Sequence, residues 1–313
     1  MNQNYKLLKA TIVLFFATVL TVQSQQLPQF TQYMYNTISI NPAYAGSREV
    51  LSIVGLHRSQ WAGLDRAPET QTLSIHTPLR NDKIGLGLSF INDQLGYENF
   101  TYLYGDFSYT IQLNEDIKLA FGLKAGFTQY NIDDALIASE GSDPGISGVQ
   151  NRWEPNFGSG LLLHTNKWYV GFSAPRLLNI DHNDLVVNGI NYGIIDRVSY
   201  YLTGGYVFDL SDNVKFKPAT LIKATNGAPV SYDITANFLF NEKFWLGGSY
   251  RINENTGALG ALVDIQVSRQ FRIGYAYEHP LSDINQYSNG THEILLMFEL
   301  FPKSYRTKSP RYF

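Results

Sequence analysis

The chain has 313 residues, a formal net charge of −3 and no cysteine, which excludes a disulfide framework and thiolate chemistry and gives no reason to expect a nucleic-acid partner. Charged residues make up 16%, below the roughly 25% of soluble domains, and aromatics 14%, with 21 Tyr and 19 Phe. No run approaches about 18 uninterrupted apolar residues, so helical spans are excluded, and the balance suits a strand wall with one face in lipid and aromatic girdles at its rims.

The chain opens on a leader. Lys6 and Lys9 form a basic region, Ala10 to Val22 a short apolar run, and Val22-Gln23-Ser24 a peptidase-type site. This pattern predicts a cleaved signal peptide over residues 1–24; a retained N-terminal anchor is the alternative.

Residues 25–48 do not alternate. Phe30, Tyr33 and Tyr35 fall partly at helical spacing, and Asn41-Pro42 with Tyr44 and Ala45-Gly46 breaks any helix. The aromatic content predicts an ordered segment at the periplasmic mouth or inside a lumen; a flexible tail is the plainer reading.

From residue 49 to 302 the pattern has period two. Ile84, Leu86, Leu88 and Phe90 alternate with Gly85, Gly87 and Ser89; Leu119, Phe121, Leu123 and Phe127 alternate with Lys118, Ala120, Gly122, Lys124 and Gly126. Similar runs at 232–240, 259–266 and 271–278 each give one apolar face and one small or polar face. Fourteen strands are predicted, centred near residues 54, 73, 87, 105, 123, 160, 171, 204, 219, 236, 248, 262, 275 and 296. Six short polar turns separate strand pairs, at 80–83, 114–116, 165–167, 211–213, 241–243 and 268–270. Longer connections are expected near 59–68, 92–97, 131–153, 175–197 and 279–291, while those near 226–229 and 253–255 on the same side are short, so the asymmetry is imperfect. Short turns at one end and longer loops at the other are the mark of an antiparallel transmembrane β-barrel of the outer membrane. A secreted β-sandwich also alternates, but its second face carries more charge and less Gly, Ala and Ser. Residues 303–313 form a C-terminal tail.

No histidine falls in a metal-ligand pattern, and Gly85-Leu86-Gly87 lies within a strand rather than in a phosphate loop. Lys124, Lys217, Lys223 and Arg251 occupy the non-apolar register. A lysine in lipid costs about 2–4 kcal/mol, so these side chains face the lumen, either as a basic wall for a partner or paired with Asp233, Asp264 and Glu278. Arg58, Gln60, Trp61 and Arg66 in the first long loop, with Trp153 closing the third, are candidate partner-binding residues, because Arg and Trp dominate binding hot spots.

The segments Gln29-Phe30-Thr31-Gln32-Tyr33-Met34-Tyr35-Asn36 and Ile40-Asn41-Pro42-Ala43-Tyr44-Ala45-Gly46-Ser47 resemble the start of mature PorP/SprF proteins. The likeness continues through Gln60-Trp61, His76-Thr77-Pro78-Leu79 and Lys83-Ile84-Gly85, and returns at Lys217-Pro218 and His292-Glu293-Ile294. The resemblance implies an outer-membrane barrel of the type IX secretion and gliding system. It implies a large secreted adhesin, engaged through its C-terminal domain, and type IX components as partners. A general role in the secretion machinery and a solute channel are the alternatives. The family carries no assigned catalytic residue or cofactor, so neither an enzymatic role nor a cofactor is expected. Phe30, Tyr33, Tyr35, Asn41, Pro42 and Tyr44 transfer as a docking or plug motif.

Overall fold

The computed structural model describes residues 28–80, 82–133, 136, 153–183, 186–187, 190–191, 195–254 and 256–301. The expected leader, the C-terminal tail and most of the 131–153 loop lie outside the described residues.

Fourteen antiparallel strands close on themselves. In chain order they are β1 (Leu51–Ser59), β2 (Glu69–Pro78), β3 (Ile84–Leu95), β4 (Glu98–Gln112), β5 (Lys118–Ile132), β6 (Trp153–His164) and β7 (Trp168–Ala174). β8 (Ser199–Tyr206, continued by Phe208–Ser211), β9 (Val214–Thr225), β10 (Ser231–Phe240), β11 (Phe244–Ile252), β12 (Gly257–Gln266), β13 (Phe271–Pro280) and β14 (Thr291–Leu300) complete the wall. Val207 separates the two runs of β8, its N–H still bonded to the Lys167 carbonyl of the neighbouring hairpin; the register against β9 is the same on both sides of it and shifts only between Asp209 and Ser211. The seam is β1 on β14, with Leu51 opposite Leu300 and Ser59 opposite His292. Every strand therefore has two neighbours and the sheet has no open edge.

The period-two pattern sets which face meets lipid. On β5, Leu123 is 62% exposed while its neighbour Lys124 is 3% exposed. Leu86, Leu88, Phe121, Phe172, Ile234, Leu246 and Ile273 continue the outward apolar band. Aromatic rings form a rim near the tight turns. Tyr206 and Phe208 stand 4.4 Å apart, Phe208 and Phe216 6.2 Å, and Phe216 and Phe238 4.8 Å. All six short turns lie between strands as expected. At the β10–β11 turn, Asn241 and Glu242 take φ of 51° and 55°, the left-handed values a type I′ turn needs, and Lys243 N–H closes it on the Phe240 carbonyl.

One expected long connection is absent. Residues 92–95 continue β3 and pair with residues 98–101 of β4, so only Gly96 and Tyr97 make the turn. Asn92, Asp93 and Gln94 belong to strand that extends past the apolar band, where both faces are polar and the alternation fades.

On β1, β9 and β14 both faces carry apolar residues. Val54, Leu56, Leu221, Leu295 and Met297 put apolar groups on the inner face, and they are buried against residues of the N-terminal segment. Apolar side chains on both faces erase the period.

Candidate functional site

Residues 28–50 run through the lumen as a plug. Gln29 donates to Ser231 and Asp233, at the end of β10 remote from the tight turn at 241–243, the same end of the barrel as the 59–68 and 279–291 loops. The segment then descends, and Arg48 and Glu49 reach the tight-turn end, where they pair with Glu299 and Lys118. β1 starts from there. Taking the longer loops as outward, the plug begins at the outer mouth and ends at the periplasmic one.

Its shape follows from local signals. Two short 3₁₀ turns, Thr37–Ser39 and Pro42–Tyr44, keep it compact. Asn41 caps the second: its Oδ1 accepts the Ala43 N–H at 3.0 Å, while its Nδ2 donates to the Leu161 carbonyl of β6. Pro42 follows at the first helical position, where a missing N–H costs nothing. Gly46 takes φ of +74° at the bend toward β1, and its N–H donates to His76 Nδ1.

The wall is cut to this segment. A Cβ on Gly85 would overlap the Ala45 carbonyl, one on Gly122 the Ala43 N–H, and one on Gly160 the Asn41 side chain. A Cβ on Gly274 would overlap the Gln32 amide. These inner-face glycines mark where plug backbone or a capping side chain approaches the sheet, so they record its path. Wall hydroxyls finish the fit: Ser108 donates to the Ala45 carbonyl, Ser173 to the Ile40 carbonyl and Ser74 to Asn36 Oδ1. Two cavities beside the plug measure about 30 and 20 Å³, room for a water and little more. A polar hollow of about 400 Å³ lies at the tight-turn mouth beside Asp82, Glu115, Asp116 and Lys118.

Of the plug-motif residues, Phe30, Tyr33, Tyr35, Asn41, Pro42 and Tyr44 are all buried in the lumen. Phe30, Tyr33 and Tyr35 share one apolar cluster with Val54, Leu221 and Leu295. Tyr44 lies in another with Ile38 and Tyr169. The Tyr35 hydroxyl also donates to Asp264 at 3.1 Å.

The basic positions Lys124, Lys217, Lys223 and Arg251 lie on the inner face with partners. Lys124 pairs with Asp106 at 2.7 Å. Arg251 pairs with Asp233 and Glu278 at 2.5 and 3.2 Å. Lys217 sits 5.7 Å from the centre of the Tyr35 ring and 5.8 Å from that of Trp245. Lys223 is buried on β9 opposite Tyr201. The attraction for a visiting segment is thus largely spent inside the wall.

The five partner-loop candidates separate. Arg58 is not in the loop. It lies on β1, 3% exposed and pointing inward, where it pairs with Glu278 at 2.6 Å and Glu293 at 3.1 Å. β1 simply runs one turn of alternation further than its apolar residues indicate. Trp153 opens β6 on the outward face, 47% exposed, as a girdle residue rather than a loop residue. Gln60, Trp61 and Arg66 do lie in the first long loop. Trp61 and Arg66 take positive φ of 53° and 54°. Arg66 stacks 3.9 Å over the Tyr97 ring and bonds Asp133 at 3.0 Å, which pushes its guanidinium pKa up.

Sequence reasoning missed Glu293 as a clamp. Its two carboxylate oxygens accept the Thr31 and Gln32 N–H groups at 2.9 and 2.7 Å. A carboxylate in the inward register of a lipid-spanning strand was the available signal. Among the described residues no three His, Asp or Glu side chains converge as a metal site.

The family model described as type IX secretion system membrane protein PorP/SprF matches residues 22–298. No curated protein matches the sequence. Among solved structures, the CymD monoaromatic hydrocarbon channel is similar at 13% identity and TM-score 0.52, over 87% of this chain and 92% of that one. The Acinetobacter baumannii outer membrane protein Omp33 is similar at 11% identity and TM-score 0.46, over 81% and 100%. A KdgM porin is similar at 10% and 0.39, over 80% and 99%. At these identities the likeness is one of fold.

Proposed function

Because the chain belongs to the PorP/SprF family of type IX secretion membrane proteins, we propose that this outer-membrane barrel holds the C-terminal region of a secreted cell-surface protein at its outer mouth. It thereby supports that protein's export or surface anchoring. The observation that carries the reading is the filled lumen: inner-face glycines are shaped to the chain's own N-terminal segment. A wall built around a resident segment suits protein contact better than solute flow. No residue is assigned a catalytic role. Gln60, Trp61 and Arg66, exposed or half-buried beside the mouth, are the first loop's contribution to the contact.

Affinity purification from outer membrane tests this. Co-recovery of one large secreted protein, lost when its C-terminal region is deleted, is the expected result. Recovery of the barrel with neither a surface protein nor a secretion component overturns it. A second reading, a solute channel, draws on the fold shared with the CymD hydrocarbon channel. Steady open conductance from the intact chain would favour that reading. Loss of every type IX substrate on deletion, rather than one, would favour a general role in the machinery.

A further inference from the structure

The two ends of the plug are held by different physics. At the periplasmic end, backbone and the Asn41 side chain lie against Gly85, Gly122 and Gly160, and removing them would leave voids that no nearby side chain fills. At the outer end charged wall groups make most of the ties, and Phe30, Thr31 and Gln32 are as buried there as the lower plug. Glu293 accepts two consecutive backbone N–H groups, from Thr31 and Gln32. Asp233 accepts from the Gln29 amide at 2.6 Å. Arg58 donates to the Thr31 hydroxyl at 2.9 Å. Between them Phe30 fills an apolar site made with Val54, Leu56, Leu221 and Leu295.

We propose that residues 28–32 are an exchangeable occupant of a peptide-binding site at the outer mouth, and that a segment of the secreted partner with the same turn-opening backbone takes their place. The proposal rests on the reading above for the source of the visitor. The lower plug stays seated and the barrel stays closed.

Three observations carry it. The clamp on Glu293 uses main-chain donors, which any residue except proline supplies. The wall remains charge-paired when the occupant leaves, because Glu293 keeps Arg58, Asp233 keeps Arg251, and Glu278 keeps both arginines. The resident also fits imperfectly: both polar atoms of the Gln32 amide, Arg58 Nε and Arg251 Nη2 are buried without a hydrogen-bond partner. A better-matched segment gains bonds that the resident does not make.

The site also defines its ligand. Three carboxylates face two guanidiniums and the buried Lys223 ammonium, so the site favours a long neutral amide where Gln29 lies. A large apolar side chain follows at the Phe30 position, then two residues with free N–H groups. This is a peptide of type Gln–aromatic–Thr-like–any residue but Pro, turning after its aromatic residue.

The probe is a fluorescent peptide with the sequence of residues 28–34, added to the full chain in detergent. Phe30→Ala loosens the resident, so F30A is expected to bind the peptide about tenfold more tightly than the parent chain. A peptide carrying Ala in place of its Phe is expected to lose that binding, as is F30A with Glu293→Ala added. Equal binding by F30A and the parent chain, or by both peptides, overturns the proposal. Should F30A fail to fold, the cysteine-free background gives a second measurement. T31C on intact cells is expected to react with a membrane-impermeant maleimide, faster when unlabelled peptide is in excess, while A43C stays protected. Equal protection at both positions also overturns it. No partner protein is present in the peptide titration, and the labelling uses cells lacking the secreted partner, so failure here leaves the co-purification result standing, and the reverse holds too.

Discussion

At the residue scale, the inner glycines and the outer leucines make opposite predictions. Gly122→Ala places a Cβ into the plug backbone at Ala43, whereas Gly105→Ala, on the outer face, meets nothing closer than 3.8 Å. Overpacking of that kind costs about 1–3 kcal/mol. G122A is therefore expected to lower the temperature of the heat-induced gel-mobility shift, and G105A to leave it unchanged. Equal shifts would remove the argument that the wall is cut to the plug. Leu123→Lys, at mid-band and facing lipid, is expected to destabilise by about 2–4 kcal/mol in a bilayer unfolding titration. Lys124→Met, one residue away, leaves Asp106 buried without its cation and is expected to cost about 3–5 kcal/mol. The facing of Leu123 and Lys124 was legible in the sequence, because lipid enforces period two strictly on its side. The direction of Arg58 was not. Its neighbours His57 and Ser59 give no apolar alternation, and only the inward carboxylates Glu278 and Glu293 explain where it points.

At the element scale, strand number and position were readable, and so were all six tight turns. The β3–β4 hairpin was misread as a long loop because Asn92 to Gln94 are polar on both faces, although their backbone pairs fully with β4. The plug's interior course was readable only as a choice between mouth and lumen. It has no period, and its contacts run from residues some thirty positions away, such as His76, to ones more than a hundred away, such as Glu293 and Leu161. The β10–β11 turn gives a prediction of its own. Glu242 holds φ of 55°, a conformation that costs an L-residue about 1–2 kcal/mol, and its pairing with Lys215 at 3.5 Å is at an exposed site. Glu242→Gly is expected to raise the unfolding midpoint; a lower midpoint would show that the ion pair outweighs the backbone strain.

At the scale of the whole molecule, a closed fourteen-stranded wall encloses more space than its own side chains fill and less than an open porin needs. The N-terminal segment takes up that difference. The segment enters from one mouth and leaves at the other, directly before β1, the strand that closes the wall on β14. The apolar inner faces of β1, β9 and β14 make sense only with that segment in place, since without it Val54, Leu56, Leu221 and Leu295 would line a wet channel. Deleting the plug should thus both open the barrel and destabilise it.

Single-channel recording in planar bilayers reads this most directly. The intact chain is expected to give no steady conductance, and a variant lacking residues 28–45 to give discrete open steps. Open steps of the same size from both proteins would contradict the account, because the resident segment would then not be what closes the lumen.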